Sequence, residues 1–271
     1  MGDGFELHRA RRATFDRSVD DYDAGRPPYP ARVFELLEEL GALSRDTRVL
    51  EIGPGTGQAT AELLARARTV TAVELGAGLA DRLRAKLADA ALTVTVGAFE
   101  SVELPVAGFD LVAAATSFHW VPEGSVARCA DLLAPDGWLA VWWTVFGDAS
   151  RPDPFHDALL PILAAEAPEV LDADGARPTI HLPHALDTPA RIAEIDGSGR
   201  FGEVHREEIR WTGRHDRAQL RALFGSFSPW LALDAERRTR TLDAMDALAR
   251  DEFGGVVERP YVTAVFAAPR R

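Results

Sequence analysis

Val49-Leu50-Glu51-Ile52-Gly53-Pro54-Gly55-Thr56-Gly57-Gln58 is the stretch on which the reading of this 271-residue chain turns. A short apolar run reads as a strand that enters a tight glycine turn and opens a helix at Gln58. Glycines there permit positive φ and let a ligand lie directly on the backbone, whose N–H groups can meet an anionic or polar group. Glu74 ends the next apolar run, 21 residues beyond Gly53. An acid at the end of a second strand is placed to bind a ribose diol with both oxygens. The two features together point to a nucleoside ligand.

Outward from this centre, apolar runs alternate with amphipathic helices. Strands are expected at 48–52, 69–74, 92–96, 109–114 and 138–146, with helices at 31–40, 58–67, 77–89 and 125–133. Runs that are apolar on both faces and alternate with helices indicate a parallel sheet covered on both sides. Ligands of such sheets sit at the carboxyl ends of the strands. Arg26-Pro27-Pro28-Tyr29-Pro30 stiffens the lead-in. Between 147 and 200 seven prolines break the alternation, but Phe155, Leu159, Leu160, Ile162 and Leu163 need burial, so the segment reads as a helical insertion. Strands at 203–211 and 261–267, helices near 217–224 and 233–252, and a turn at Gly254-Gly255 complete the pattern. The expected organisation is a cap over 1–40, a core over 41–146, an insertion over 147–200 that closes on the acceptor site, and a return to the core sheet over 201–271.

The spacing Gly53, Gly55, Gly57 is not the G-x-G-x-x-G of dinucleotide folds, because position 58 is glutamine, and no Gly-Lys-Ser/Thr of a P-loop follows. Leu50-Glu51-Ile52-Gly53-Pro54-Gly55-Thr56-Gly57 resembles the first motif of class I S-adenosylmethionine (SAM) dependent methyltransferases. Val73-Glu74 is similar to their acidic ribose-binding motif, and Gly97-Ala98-Phe99-Glu100 resembles the adenine-edge motif, with Ala98 where the family often carries Asp. Phe109-Asp110-Leu111-Val112 and Leu133-Ala134-Pro135-Asp136-Gly137-Trp138-Leu139 are similar to the fourth-strand motif and the turn before the fifth strand. Ser117-Phe118-His119-Trp120, together with Phe15-Asp16-Arg17 through Tyr22, Arg26-Pro27 and Tyr29-Pro30, looks like the small-molecule branch.

The resemblance implies a Rossmann-like, doubly wound, mostly parallel sheet of seven strands with the last strand antiparallel, plus a helical cap. It implies SAM as cofactor, S-adenosylhomocysteine as product, and a small organic acceptor methylated at oxygen, nitrogen or carbon. The residues carried over for the cofactor are Gly53, Pro54, Gly55, Gly57, Gln58, Glu74, Leu75, Ala98, Phe99, Thr116, Tyr22 and Arg26. Tyr29, Trp120, Phe155, Trp211 and Trp230 are the candidates for the acceptor pocket. His119 follows the fourth strand and is the candidate general base, or else holds the loop or orients the acceptor. A nucleoside-binding protein without catalysis and an NAD-linked oxidoreductase are the other readings, the second weakened by Gln58.

Composition narrows the classes. Lys and Arg total 30 against 42 Asp and Glu, a net charge of −12, which opposes nucleic acid partners. The single Cys129 makes no internal disulfide, and no Cys/His cluster has zinc spacing. His181 and His184 lack an acidic or third ligand, so no metal is expected. Cys129 reads as a buried, inert thiol on the apolar side of its helix. The longest strongly apolar stretch, 139–146, is too short to cross a bilayer, and the start lacks the apolar core of a signal peptide. A cytoplasmic monomer or homodimer is expected.

Overall fold

β1 (Arg48–Ile52) is buried from Val49 onward, and its residues divide between two layers. Val49 joins one hydrophobic cluster, while Leu50 and Ile52 join another on the opposite face. That alternation follows from the pleat, which sends successive side chains to opposite faces. The computed structural model describes residues 23–171 and 183–271. Tyr22, His181 and the notional cap residues Phe15, Asp16 and Arg17 lie outside the described residues.

α1 (Ala31–Glu39) follows Pro30, with Val33, Phe34 and Leu37 buried under the sheet. After β1 come α2 (Gln58–Arg66), β2 (Thr69–Glu74), α3 (Ala77–Lys86) and β3 (Leu92–Val96). β4 (Phe109–Ala115), a 3-10 turn (Phe118–Trp120), α4 (Ser125–Leu132) and β5 (Leu133–Val145) complete the first half. The second half holds α5 (Pro154–Glu166), α6 (Pro183–Leu186), α7 (Thr188–Asp196), β6 (His205–Asp216), α8 (Arg217–Gly225), α9 (Ser228–Leu231), α10 (Ala235–Glu252) and β7 (Val256–Pro269). Aspartates start four of these helices: Asp153, Asp187, Asp216 and Asp234 each accept a first-turn backbone N–H. Asp216 and Gln219 form a reciprocal capping box.

The strand order is β3-β2-β1-β4-β5-β7-β6. Pairs β1–β2, β2–β3, β1–β4 and β4–β5 are parallel, and β7 runs antiparallel to both β5 and β6. The expected seven-stranded Rossmann-like sheet with an antiparallel last strand is what the chain forms. Its strand order reverses between β1 and β4, so the loops after those strands face each other across the switch point.

Three strands are longer than the sequence pattern suggests. β6 and β7 stay paired from His205↔Ala267 to Asp216↔Val256, and ladder hydrogen bonds carry polar residues that alternation does not flag. The turn-forming Ala134-Pro135-Asp136-Gly137 lies inside β5, with Asp136 at φ +64°. Pairing of β5 with β4 begins at Phe109↔Leu133, shifts register, and resumes at Leu111↔Trp138. The glycine turn before β7 is present, with Gly254 and Gly255 at φ +63° and +80°.

A third cluster is built around one end of β7. It unites Phe155, Leu159 and Leu163 of α5 with Leu223 and Phe224 of α8, Met245 of α10 and Tyr261 of β7. A cap is thus built from two separated segments of sequence. Ala185 and Ile195, by contrast, join the cluster on one face of the core sheet.

Candidate active site

The loop after β1 has Gly53, Gly55 and Gly57 at φ +66°, +59° and +94°. A Cβ on Gly53 would stand 2.7 Å from Cβ of Ser117 in the loop after β4. Close approach of two loops therefore requires glycine here, in addition to its positive φ. The Ser117 hydroxyl donates to the Ile52 carbonyl and ties the two loops together. Thr116 sits at φ +54°, and a β-branched residue in this region is strained. Its N–H donates to the Trp142 carbonyl at 2.7 Å and its hydroxyl accepts from Tyr29 at 2.9 Å.

Glu74 is buried at the end of β2. Its Oε2 accepts from the Gly55 N–H at 3.0 Å and its Oε1 from the Gly76 N–H at 2.9 Å. The acid and the glycine loop, read as separate motifs in the sequence, are one hydrogen-bonded unit. Leu75 follows it, half-buried, and Pro54 is buried within the loop. Gln58 donates to Thr56 Oγ1 at 2.9 Å and steadies the start of α2.

Glu51 is a feature the sequence reading passed over. It is fully buried on β1, and neither carboxylate oxygen has a hydrogen-bond partner among the described residues. Burial, with the Glu74 charge adding to it, pushes its carboxyl up to about 7. The Thr60 hydroxyl pulls the other way, toward the charged form, although its oxygen stands outside hydrogen-bonding geometry. The acidic position of the quoted first motif was the available signal.

Ala98 and Phe99 follow β3. Phe99 is buried, and Arg128 of α4 reaches over it, donating to the Phe99 carbonyl at 3.0 Å and the Val102 carbonyl at 2.6 Å. The same guanidinium lies 5.2 Å from the Phe99 ring centroid. This side chain fixes the loop that borders the expected adenine slot, and periodicity carried no sign of it.

Residues 23–30 form a strap across the carboxyl ends of the strands. Asp23 accepts from Lys86 at 2.6 Å and from Arg82 at 2.8 Å. Burial alone would raise the Asp23 carboxyl, but hydrogen bonds from Lys86, Arg82 and Thr56 hold it below the usual carboxylate range. Gly25 packs so tightly that an added Cβ would lie 2.5 Å from Leu223 Cα. Arg26 donates to Ser226 Oγ at 3.2 Å, with its guanidinium 4.8 Å from the Phe227 ring and 5.2 Å from Phe146. It thus holds the strap to the cap. Tyr29 packs edge-on against Trp142 at 5.9 Å.

His119 lies on the 3-10 turn after β4, its ring 4.7 Å from that of Trp120. Trp143, on β5, donates from Nε1 to His119 Nδ1 at 3.0 Å. Of the acceptor candidates, Phe155 and Trp230 are interior side chains of the cap cluster, 1% and 0% exposed. Trp211 packs on Tyr261 and donates to Thr263 Oγ1 at 3.0 Å. An open cleft of about 550 Å³ borders Phe155, between Arg151, Arg214, Phe253 and Arg259. Tyr29, Trp120 and His119 gather at the switch point, whereas these three aromatics belong to the cap.

Cys129 is fully buried, and burial pushes its thiol well above the ordinary range, so it is no nucleophile. Among the described residues no helix is long and apolar enough to cross a membrane, and no three His, Cys, Asp or Glu side chains group to hold a metal ion.

The model of a family described as "Methyltransferase domain" matches residues 50–141, the span that holds the glycine loop, Glu74 and His119. "Uncharacterized methyltransferase Rv3342" of Mycobacterium tuberculosis (strain ATCC 25618 / H37Rv) is 30% identical over 238 residues, 87% of this chain and 85% of that protein. The chain belongs to the class I methyltransferases. "Uncharacterized methyltransferase C25B8.09" of Schizosaccharomyces pombe is 29% identical over 49% of this methyltransferase and 53% of its own length. A Haemonchus contortus phosphoethanolamine N-methyltransferase, solved with phosphomonomethylethanolamine and S-adenosylhomocysteine, shares the fold at a TM-score of 0.52. It is 12% identical, over 94% of this chain and 57% of that one.

Proposed function

We propose that this methyltransferase uses SAM and methylates a small organic acceptor. The observation that carries the reading is the Glu74 carboxylate held by the Gly55 N–H, which makes one binding unit of the loop after β1 and the end of β2. A carboxylate has about four acceptor sites, so two backbone donors aim Glu74 and a ribose diol would add to them. The buried, unpartnered Glu51 would receive the amino group of SAM, a cation that answers its missing partner. Positive φ at Gly53 and Gly55 opens the loop backbone toward the same ligand. Phe99, braced by Arg128, would flank the adenine, and Leu75 would line the same slot. When bound, SAM supplies a methyl group already activated by its sulfonium.

The rest falls to this chain: to align an acceptor and exclude water. The strap from Asp23 to Tyr29 and the cap cluster supply walls for that purpose. The net charge of −12 supports a small molecule over a nucleic acid as acceptor.

The test is titration calorimetry of the purified, cofactor-stripped chain with S-adenosylhomocysteine and, separately, NADH. Binding of S-adenosylhomocysteine at micromolar affinity is expected. Heat with NADH alone would refute the reading. A panel of small acceptors with labelled SAM then reads methyl transfer directly.

A further inference from the structure

The cleft of about 550 Å³ at the start of α5 reverses the charge of the chain around it. Arg151, Arg214 and Arg259 stand on its walls against Glu258 alone, three cations to one anion in a protein of net charge −12. Arg259 is 2% exposed. Its Nε and Nη2 both donate to Asp153 Oδ2, at 2.9 and 2.8 Å, and Nη2 also reaches the Phe146 carbonyl at 3.4 Å. The other oxygen of Asp153 accepts from the His156 N–H at 3.0 Å and caps α5. Arg259 Nη1 is left enclosed with no hydrogen-bond partner among the described residues. A buried donor in that state is costly, and a buried cation is stable only where its charge is met. Arg214 is exposed and stands directly opposite Glu258 in the β6–β7 ladder, yet its side chain makes no hydrogen bond or ion pair among the described residues. Arg151 is fixed at the rim by the Trp211 carbonyl at 3.2 Å and Thr212 Oγ1 at 2.9 Å. Pro152, Phe155, Phe253 and Pro260 supply apolar wall between these charges.

We propose that this cleft is a binding site for an organic carboxylate with an apolar body, separate from the site of methyl transfer. A carboxylate matches the flat donor edge of a guanidinium, and Arg214 brings a charge that no side chain of the described residues answers. The same anion beside Arg259 adds the compensation that Asp153 supplies from one side only. Glu258 on the wall opposes a second negative charge, which favours a carboxylate over a phosphate dianion. The proline and phenylalanine walls receive the body of the ligand, as in other small-molecule sites of this size. The register of the sheet sets the separation. Ala115, at the end of β4, is level with Trp142, and Trp142 with Val265 of β7. Arg259 lies six residues further along β7, about 20 Å at the rise of a strand. The lining residues include none from the loops after β1, β2, β3 or β4, so one small molecule does not fill both places.

Titration calorimetry of the full chain at low salt tests this, with benzoate as the probe and benzyl alcohol as its neutral counterpart. Benzoate should bind and the alcohol should give no heat. Arg214→Gln should weaken benzoate about fivefold, and Glu258→Gln should tighten it by about the same factor. Arg259 is too deeply buried to serve as the variant, whereas Arg214 and Glu258 are exposed and neither has a side-chain partner to lose among the described residues. Opposite signs from two neighbouring exposed positions are what a charged ligand in this cleft produces and what a general disturbance of the hairpin does not. No heat with benzoate, equal affinity for the alcohol, or a benzoate affinity unchanged in either variant overturns the proposal. Benzoate held elsewhere on the protein would show itself by that last result. The measurement needs no cofactor, so its outcome stands whatever becomes of the methyltransferase reading.

Discussion

Replacing Glu51 by glutamine isolates what an unpaired buried charge does to this fold. The folded-state carboxyl is raised from 4.5 to about 7 by burial. Between those values the folded chain binds more protons than the unfolded one, so stability falls as pH rises. At pH 8 the ionised group costs about 3 kcal/mol, and at pH 5, where it is mostly protonated in the folded state, under about 1 kcal/mol. The amide of the variant would be just as short of partners as a protonated Glu51, so that burial penalty cancels in the comparison. The expected signature is a double difference: Glu51→Gln gains about 2.5 kcal/mol more, relative to parent, at pH 8 than at pH 5. Urea unfolding of both proteins at the two pH values measures it, and the other carboxylates cancel because both chains share them. A double difference of zero would mean that Glu51 is solvated or paired in solution, and its role as the seat of a cation would go with it.

His215 should act in the opposite direction. Burial, then the Arg259 charge, pushes its imidazole down to about 4, so stability held above pH 6.5 is lost as pH falls toward that value, by up to about 3 kcal/mol. His215→Gln should flatten this acid limb, and an unchanged limb would refute the assignment. Gly25→Ala should force the strap off the Ala222–Leu223 backbone, at about 1–3 kcal/mol for overpacking. Faster proteolysis within residues 23–30 would report it, and wild-type resistance would contradict the tight packing. Glu74→Ala should weaken S-adenosylhomocysteine by about 1.5–3 kcal/mol, roughly 10- to 150-fold, in calorimetry. An unchanged dissociation constant would remove Glu74 from the site.

What the sequence disclosed was what local physics writes into consecutive residues. β4 is apolar on both faces from Leu111 to Ala115 because helices cover both, and that is visible as an unbroken run; in β1 only Glu51 interrupts the apolar run from Val49 to Ile52. The glycine spacing at 53, 55 and 57 shows because backbone geometry leaves no alternative residue. The rest depends on partners that only the assembled sheet brings together. Asp23 reads as one acid in a polar lead-in until α3 sets Arg82 and Lys86 beside it. Arg26, carried over for the cofactor, also meets Ser226, Phe146 and Phe227, partners that only the packing of two distant segments brings to it. Trp142 and Trp143 are adjacent and equally apolar, yet the pleat sends one toward Tyr29 and the other to His119. A shift of one residue in the register of β5 would exchange them.

That register bears on how far the chemistry of the site is preset. The switch point brings the loops after β1 and β4 together, and only the missing side chain of Gly53 allows Ser117 to close on Ile52. The closure holds Thr116 in a conformation that its β-branched side chain disfavours, with its N–H fixed to Trp142 on β5. The neighbouring residue of that strand, Trp143, then holds the imidazole three positions further along the same loop. Glycine loop, strained threonine and oriented histidine are therefore one mechanical unit framed by β1, β4 and β5. Strain of about 1–3 kcal/mol at Thr116 persists because strands on both sides over-determine it. An imidazole held so firmly has little freedom to reorient, so the geometry of the loop after β4 is set by the fold before any ligand arrives.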